Sequence, residues 1–127
     1  MPVTYEINSA RRLIHTRCAG SVTLEEVLGH FTDLIQDPAC PDYLDVLLDL
    51  AETTSLPTSH ELRAVSSEIA RIRPRVRFGR CAIVTSNDAW FGTARMFEVY
   101  AVNYFHATDV FRSLNDAVLW LESPNAA

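Results

Sequence analysis

The sequence Asp45-Val-Leu-Leu-Asp-Leu50 leads through a polar loop to Thr58-Ser-His-Glu61, and the next apolar run is Cys81-Ala-Ile-Val84. Both apolar runs have strand length, and their near-continuous hydrophobicity is typical of parallel strands covered on both faces. The segment between them opens with a capping-box pattern, and its apolar spacing indicates an amphipathic helix that ends at Pro74. Together these segments predict a parallel βαβ unit.

Two strands and a helix are predicted before this unit. Residues 3–7 and 12–18 favour an antiparallel pair joined by the turn signal Asn8-Ser9, with one wetter face on the second strand. The stretch Thr23-Leu-Glu-Glu26 is a second capping box and predicts the start of a helix with one apolar face.

After Val84, the segment Ser86-Asn-Asp88 predicts the start of a third helix that runs to about His106. Residues 109–112 favour a short last strand, and Ser113-Leu-Asn-Asp116 predicts the start of a terminal helix. The element order is therefore ββαβαβαβα.

This order predicts an α/β fold, a single domain whose mixed sheet has a parallel centre. The domain is expected to span residues 1–122, and residues 123–127 are expected to form a disordered tail. A length of 127 residues, 48% of them hydrophobic, suits one domain with a substantial core.

Composition excludes several classes of protein. The formal net charge of -5 disfavours binding to nucleic acid or to an anionic membrane. No apolar stretch approaches the roughly 20 residues that span a bilayer, and the first residues lack a signal-peptide pattern, so a cytoplasmic location is expected. The three cysteines are far apart in sequence and predict neither a disulfide framework nor a metal site, and no cofactor is expected.

Three segments, together with the Leu47–Leu50 strand and its following capped helix, resemble the STAS/SpoIIAA-like superfamily of anti-sigma-factor antagonists. The segments are Gly20-Ser-Val-Thr-Leu-Glu-Glu26, Phe91-Gly-Thr-Ala-Arg-Met-Phe-Glu98 and residues 110–121, and they are most similar to small bacterial STAS/SEC14-type proteins. The resemblance spans almost the whole chain and implies a SpoIIAA-like fold. It also implies a regulatory or protein-interaction role, whereas its SEC14-like side permits an apolar ligand or lipid.

In the antagonist branch of that superfamily, a serine at the start of the matching helix is phosphorylated. The corresponding stretch here is Pro57-Thr58-Ser59-His60, which keeps two hydroxyls but lacks the Asp and Gly of the family pattern. The resemblance thus makes Thr58 and Ser59 the candidates for phosphorylation. The alternative is that Thr58 only caps the helix.

The sequence shows no signature of a known enzyme class. It lacks G-x-S-x-G, G-x-G-x-x-G, a P-loop and H-E-x-x-H, and we expect a non-enzymatic protein with no catalytic residues. His30, His60 and His106 fall on separate predicted helices without metal-ligand spacing, and we interpret them as surface or cap residues. Asp49, at the carboxyl end of a buried strand, is a candidate ligand residue, or else it hydrogen-bonds to the amides of the following loop.

Positive charge is concentrated in one segment, residues 58–80, with six arginines against two acids and a net charge of +4. Its end forms a candidate surface for an acidic protein partner or a phosphate-bearing ligand. The residues are Arg71, Arg73, Arg75, Arg77 and Arg80. Alternatively, these arginines form a solvated helix end.

The third predicted helix has too many apolar residues for one buried face. A first stripe, from Trp90 to Tyr104, is expected to pack on the sheet. The second stripe predicts a homodimer interface, unless the terminal helix covers it. It consists of Phe91, Val99, Val102 and Phe105.

Three functions remain open at this stage. The first is a non-enzymatic regulatory or protein-interaction domain, with a protein partner or a second copy of the chain. The second is a small apolar-ligand or lipid-binding module whose cavity is lined by the aromatic third helix. The third is an unrecognised enzyme. A deep apolar pocket beside the third helix favours the second function.

Overall fold

The computed structural model describes residues 2–123, and its elements follow the predicted order. The strands are β1 (Val3–Asn8), β2 (Leu13–Gly20), β3 (Tyr43–Thr53), β4 (Arg77–Val84) and β5 (Ala107–Phe111). The helices are α1 (Leu24–Gln36), α2 (Ser59–Ile72), α3 (Asp88–Tyr100) and α4 (Leu114–Glu122).

The strands form one mixed sheet in the order β1-β2-β3-β4-β5. β1 pairs antiparallel with β2, and each later pair is parallel, so the predicted mixed sheet with a parallel centre is confirmed. Because neighbouring parallel strands follow one another in sequence, right-handed crossovers place α1, α2 and α3 on the same face of the sheet.

The alternation of side chains along the strands separates two apolar layers. Ile14 and Cys81 face α1–α3, whereas Leu47 and Ala82 face α4 and pack against its buried Ala117. The terminal helix therefore lies on the opposite face of the sheet from α3. It does not cover the second apolar stripe of α3, which was the alternative to a dimer interface.

The two boundaries that differ most from the prediction are the end of α3 and the start of β4. α3 ends at Tyr100, six residues before the predicted end, because the chain must join the sheet: the His106 amide already donates to the carbonyl of Gly79. β4 begins at Arg77, four residues before the predicted apolar run, and a Cβ atom at Gly79 would force the Tyr43 hydroxyl and the Asp45 carboxylate to move aside.

The C-terminal end of the described chain is an ordinary helix end. Ser123 is the C-cap of α4, and its amide donates to the carbonyl of Trp120. The rest of the predicted tail, residues 124–127, lies outside the described residues. Within residues 2–123, no helix combines the length and the apolar content that crossing a membrane requires.

Candidate functional site

A cavity of about 170 Å³ lies between the sheet and the layer formed by α1, α2 and α3. Its wall is made almost entirely of apolar side chains, from the helix-facing sides of β2, β3 and β4 and from all three helices. Ile83 and Ala94, both buried, are typical of these wall residues.

Aromatic side chains surround much of the cavity. Phe78 and Phe105 stack with their ring centroids 5.5 Å apart, and Phe97 meets Phe105 edge to face at 6.2 Å. Phe31 from α1 and Trp90 from α3 complete this aromatic part of the wall. The helix order makes the arrangement possible, because α1, α2 and α3 each direct an apolar stripe at the same sheet face.

The exposed and polar wall residues are concentrated at the carboxyl ends of β2 and β3. Thr23 caps α1, Glu61 belongs to the cap of α2, and Ser55 lies in the loop between β3 and α2. Thr23 is exposed, and Ser55 and Glu61 are only partly buried. This rim is therefore the expected entrance to the cavity.

The rim is tied together by hydrogen bonds. The indole Nε1 of Trp90 donates to the Ser55 carbonyl at 2.8 Å, and the Ser55 hydroxyl accepts from the Val22 amide at 3.0 Å. The start of α3, the loop after β3 and the loop after β2 are thereby held as one unit.

Inside the wall, Thr16 of β2 faces His30 of α1. The Thr16 hydroxyl oxygen lies 3.4 Å from His30 Nε2, and the His30 ring packs edge to face on Tyr5 at 5.1 Å. Burial lowers the pKa of His30 to about 4, although the nearby Asp33 carboxylate opposes this shift. The imidazole is therefore neutral at pH 7.

Neither Thr16 nor His30 was singled out as a site residue, and the interpretation of His30 as a surface or cap residue is wrong. The sequence nevertheless contains a pattern that could have identified both residues. Thr16 occupies the apolar side of β2, between Ile14 and Cys18, and His30 precedes the buried Phe31 on the apolar face of α1. A polar residue on the buried face of a strand and another on the buried face of a helix are candidates for hydrogen bonding to each other in the interior.

The buried thiols lack the character of nucleophiles. Burial raises the pKa of Cys18 to about 11, with smaller contributions from Asp49 and Glu26, and burial alone raises that of Cys81 to about 12. Both thiols are therefore protonated at pH 7. Within residues 2–123, His, Cys, Asp and Glu form no group of three or more that could hold a metal ion.

The two candidate phosphorylation residues lie at the start of α2. The Thr58 hydroxyl accepts from the Glu61 amide at 3.1 Å, and the Thr58 amide donates to the Glu61 carboxylate at 2.9 Å. The predicted capping box is therefore formed. Ser59 is exposed, and its hydroxyl points to the sulfur of Met96 at 3.6 Å.

Asp49 makes the local contacts that its alternative interpretation predicts. Its Oδ1 accepts from the Ala51 amide at 3.1 Å, and its Oδ2 lies 3.7 Å from the Arg17 side chain. The carboxylate lies on the sheet face away from the cavity, with Leu47 and Arg17, and does not contribute to the cavity wall.

The arginines of the predicted positive surface are all exposed except Arg80. Arg71 is exposed and pairs with Glu68 at 2.6 Å, and Arg73 donates to a carbonyl in the turn after α3. Arg75 donates to the Cys40 carbonyl, and Arg77 is exposed on β4. Arg80 is buried and bonds to the end of α4, so it does not belong to an exposed surface.

Two residues of the predicted dimer stripe are exposed, and the other two pack against neighbouring side chains. Val99 and Val102 are 70% and 65% exposed, as an interface in the monomer requires. Phe91 instead lies half-buried, with the Arg112 guanidinium 4.7 Å from its ring centroid, and Phe105 packs on Phe78. Two of the four residues are therefore free to meet another molecule.

A search of solved structures finds an uncharacterized protein of the DUF3478 family from Shewanella loihica PV-4, described as having a SpoIIAA-like fold. The two chains are 16% identical and align with a TM-score of 0.63 over 94% of this chain and 91% of the other. The chain therefore has a SpoIIAA-like fold, and the fold implied by the resemblance is confirmed. No family model matches the chain, and no curated protein matches it significantly.

Proposed function

We propose that this domain binds a small, largely apolar molecule in the cavity beneath α1–α3, and that it acts as a binding module rather than as an enzyme. The observation that supports this function is the volume of about 170 Å³ left between the sheet and the helices. Protein interiors are ordinarily close-packed, with few voids larger than a water molecule. An engineered apolar cavity of about 150 Å³ in another protein binds benzene.

The apolar wall of the cavity supports the same conclusion. Atoms that line a void have no contact partners on that side and lose dispersion energy. A ligand that fills the cavity restores the lost contacts and raises the free energy of unfolding.

The wall chemistry favours binding over catalysis. Cys18 and Cys81 are protonated thiols, and His30 is a neutral imidazole paired with Thr16 rather than with a carboxylate. An activated nucleophile requires a neighbouring base or a lowered pKa, and the cysteines have raised values.

A regulatory protein-interaction role is the second candidate. Val99 near the end of α3 and Val102 in the turn that follows favour it, because exposed apolar side chains are typical of a contact surface. The two functions are compatible, since α3 contributes both to the cavity wall and to this exposed surface. A cytoplasmic location suits either function.

Binding is tested by titrating the purified protein with toluene and following amide chemical shifts by NMR. We expect shifts at cavity residues in the wild type. Ala94→Leu places three more carbon atoms in the cavity and is expected to abolish them. Ala89→Leu, on the exposed side of the same helix, is the matched control. Absence of toluene binding to the wild type, or equal binding to Ala94→Leu, contradicts the proposal.

A further inference from the structure

Two helix starts border the mouth of the cavity. β2 and β3 are adjacent parallel strands, so α1 and α2, which follow them, begin at the same end of the sheet. The connecting loops are joined where the Val22 amide donates to the Ser55 hydroxyl at 3.0 Å. Thr23, the N-cap of α1, and Glu61, in the first turn of α2, both belong to the cavity wall. Charges at these helix starts therefore act on a molecule that enters.

Each of the two helix starts carries a carboxylate in a fixed position. The Glu61 carboxylate accepts from the Thr58 amide at 2.9 Å, and the Glu26 carboxylate accepts from the Thr23 amide, also at 2.9 Å. Because Glu61 itself borders the cavity, its carboxylate lies no farther away than the length of one side chain. That length is shorter than the screening length of about 8 Å at physiological salt. The Glu26 carboxylate is one hydrogen bond away from a wall residue.

No positive side chain compensates these carboxylates within the described part of the chain. The wall includes no arginine, and the sequence has no lysine. Neither Glu26 nor Glu61 takes part in an ion pair of residues 2–123. His30 belongs to the wall, but burial lowers its pKa to about 4, so its imidazole adds no charge at neutral pH. Glu61 is therefore the one described wall residue that carries a charge.

The hydrogen-bond donors near the mouth are already engaged by the protein. The indole of Trp90 donates to the Ser55 carbonyl at 2.8 Å, and the Thr53 hydroxyl donates to the Cys18 carbonyl at 3.2 Å. An anion at the mouth cannot use these donors without breaking the bonds that they make. A negative group without donors or a counter-ion is costly to remove from water.

The dipoles of α1 and α2 oppose the carboxylates but do not outweigh them. A helix start carries about half a positive elementary charge, whereas each carboxylate carries a full negative one. The two starts and the two carboxylates together leave roughly one negative charge at the mouth. A helix start without such a carboxylate is a ready site for an anion. The two capping boxes therefore reverse the charge preference of this end of the sheet.

We propose, on the basis of the proposed binding function, that the cavity selects apolar molecules by charge, and that Glu61, assisted by Glu26, determines this selection. Uncharged molecules and amines bind, whereas carboxylates are rejected. The apolar body of the ligand fills the cavity, and a charged group lies at the mouth. There the two carboxylates stabilise a cation and repel an anion.

Three probes with the same apolar body test this selection: toluene, 4-methylbenzylamine and p-toluate. The second adds a positive group to the ring, and the third adds a negative one. Their dissociation constants are measured with the purified protein by NMR titration at neutral pH and low ionic strength. We expect 4-methylbenzylamine to bind at least about tenfold more tightly than p-toluate, because each partly exposed carboxylate favours the cation and disfavours the anion.

The determinant is located by replacing glutamate with glutamine. Glu61→Gln removes the charge but keeps a side chain that completes a capping box. It is expected to lower the ratio of amine to carboxylate affinity by about fivefold while changing toluene affinity by less than about twofold. Glu26→Gln is expected to lower the ratio by a smaller factor. Glu68→Gln is the matched control: it makes the same change in total charge on α2, but Glu68 pairs with Arg71 and lies outside the wall.

Salt tests the same selection without a variant. Raising the ionic strength from about 0.01 M to 1 M shortens the screening length from about 30 Å to 3 Å. We expect the ratio of amine to carboxylate affinity of the wild type to fall severalfold over this range. General effects of salt on apolar binding cancel in the ratio, since the two probes share one body.

The outcomes separate the two proposals. If toluene does not bind the wild type, the cavity function itself is contradicted. If toluene binds and p-toluate binds as tightly as 4-methylbenzylamine, the function stands and the selection by charge is overturned. An affinity ratio that Glu61→Gln changes no more than Glu68→Gln does overturns the assignment to Glu61. If Glu61→Gln fails to fold, a wild-type ratio that does not change with salt overturns the selection.

Discussion

The Arg80 guanidinium donates to the carbonyl oxygen of Trp120 at 2.8 Å and lies over the same residue's ring, 5.5 Å from the centroid. It also donates to the Ser123 carbonyl at 3.0 Å. β4 thereby supplies a further donor to the carbonyl groups at the end of α4, where the Trp120 carbonyl also accepts from the Ser123 amide.

Replacing Arg80 by Met removes the Arg80 donor from the Ser123 carbonyl, whereas the Trp120 carbonyl keeps the Ser123 amide and hydroxyl as donors. We expect the free energy of unfolding, measured by urea denaturation, to fall by roughly 1–3 kcal/mol. Arg77→Met, at the exposed start of the same strand, is the control and is expected to change it by less than about 0.5 kcal/mol. Equal effects would mean that Arg80 has no special structural role.

The capping box of α2 predicts different effects at two adjacent hydroxyls. Thr58→Ala removes the acceptor for the Glu61 amide and is expected to cost about 1 kcal/mol of stability without changing toluene binding. Ser59→Ala, just inside the helix, is expected to cost less. An identical loss in the two variants would show that the box does not stabilise α2.

Phosphorylation at Thr58 or Ser59 stays a prediction. A phosphate on Thr58 would disrupt the capping box and face the Glu61 carboxylate, whereas one on Ser59 would lie at the positive start of α2. Intact-mass measurements on protein from its native host check this. If unmodified protein alone is found in every growth condition, there is no such switch.

Burial of His30 makes stability depend on pH. Its pKa is about 4 in the folded protein and 6.5 without burial, so the unfolded chain takes up the proton first as the pH falls. The free energy of unfolding therefore decreases below about pH 6.5, and the full loss is reached below about pH 4.

Between about pH 7 and pH 4.5, His30 accounts for roughly 2–3 kcal/mol of this loss. Urea denaturation at both pH values should show a loss smaller by that amount in His30→Gln. The exposed His60→Gln serves as control and should lose as much as the wild type. An unchanged acid loss in His30→Gln would mean that the imidazole is charged or solvated in the folded state.

The expected homodimer is tested by sedimentation at micromolar concentration. We predict a dimer of the 14.3 kDa chain that dissociates when Val99 and Val102 are both replaced by Glu. Leu119→Glu, at an exposed apolar position on α4, is the control. A wild-type monomer refutes the dimer, and a dimer that survives the double substitution has its interface elsewhere.

Most of the fold can be predicted from local sequence patterns. Two capping boxes, at Thr23 and Thr58, form as predicted, and the buried runs at Leu47 and Ile83 become adjacent parallel strands. The end of α3 is harder to predict from local patterns. Apolar residues continue to Phe105, but pairing of β5 with β4 forces the chain out of the helix at Tyr100.

The cavity could be anticipated only in part. The aromatic residues of α3 indicate a possible ligand site. The volume of the cavity depends on how α1, α2 and α3 pack on the sheet, and no local sequence pattern encodes that packing. The pairing of Thr16 with His30 likewise joins β2 to α1 through tertiary packing. The predicted third helix extends too far and so places Phe105 in the second stripe, whereas in the structure Phe105 stacks on Phe78.

The cavity is tested most directly by a crystal structure determined under xenon pressure, because xenon occupies apolar cavities of this size. We predict xenon between the sheet and α1–α3, in van der Waals contact with Ile83 and Ala94. An interior filled by side chains, with no xenon beneath these helices, would contradict the binding function.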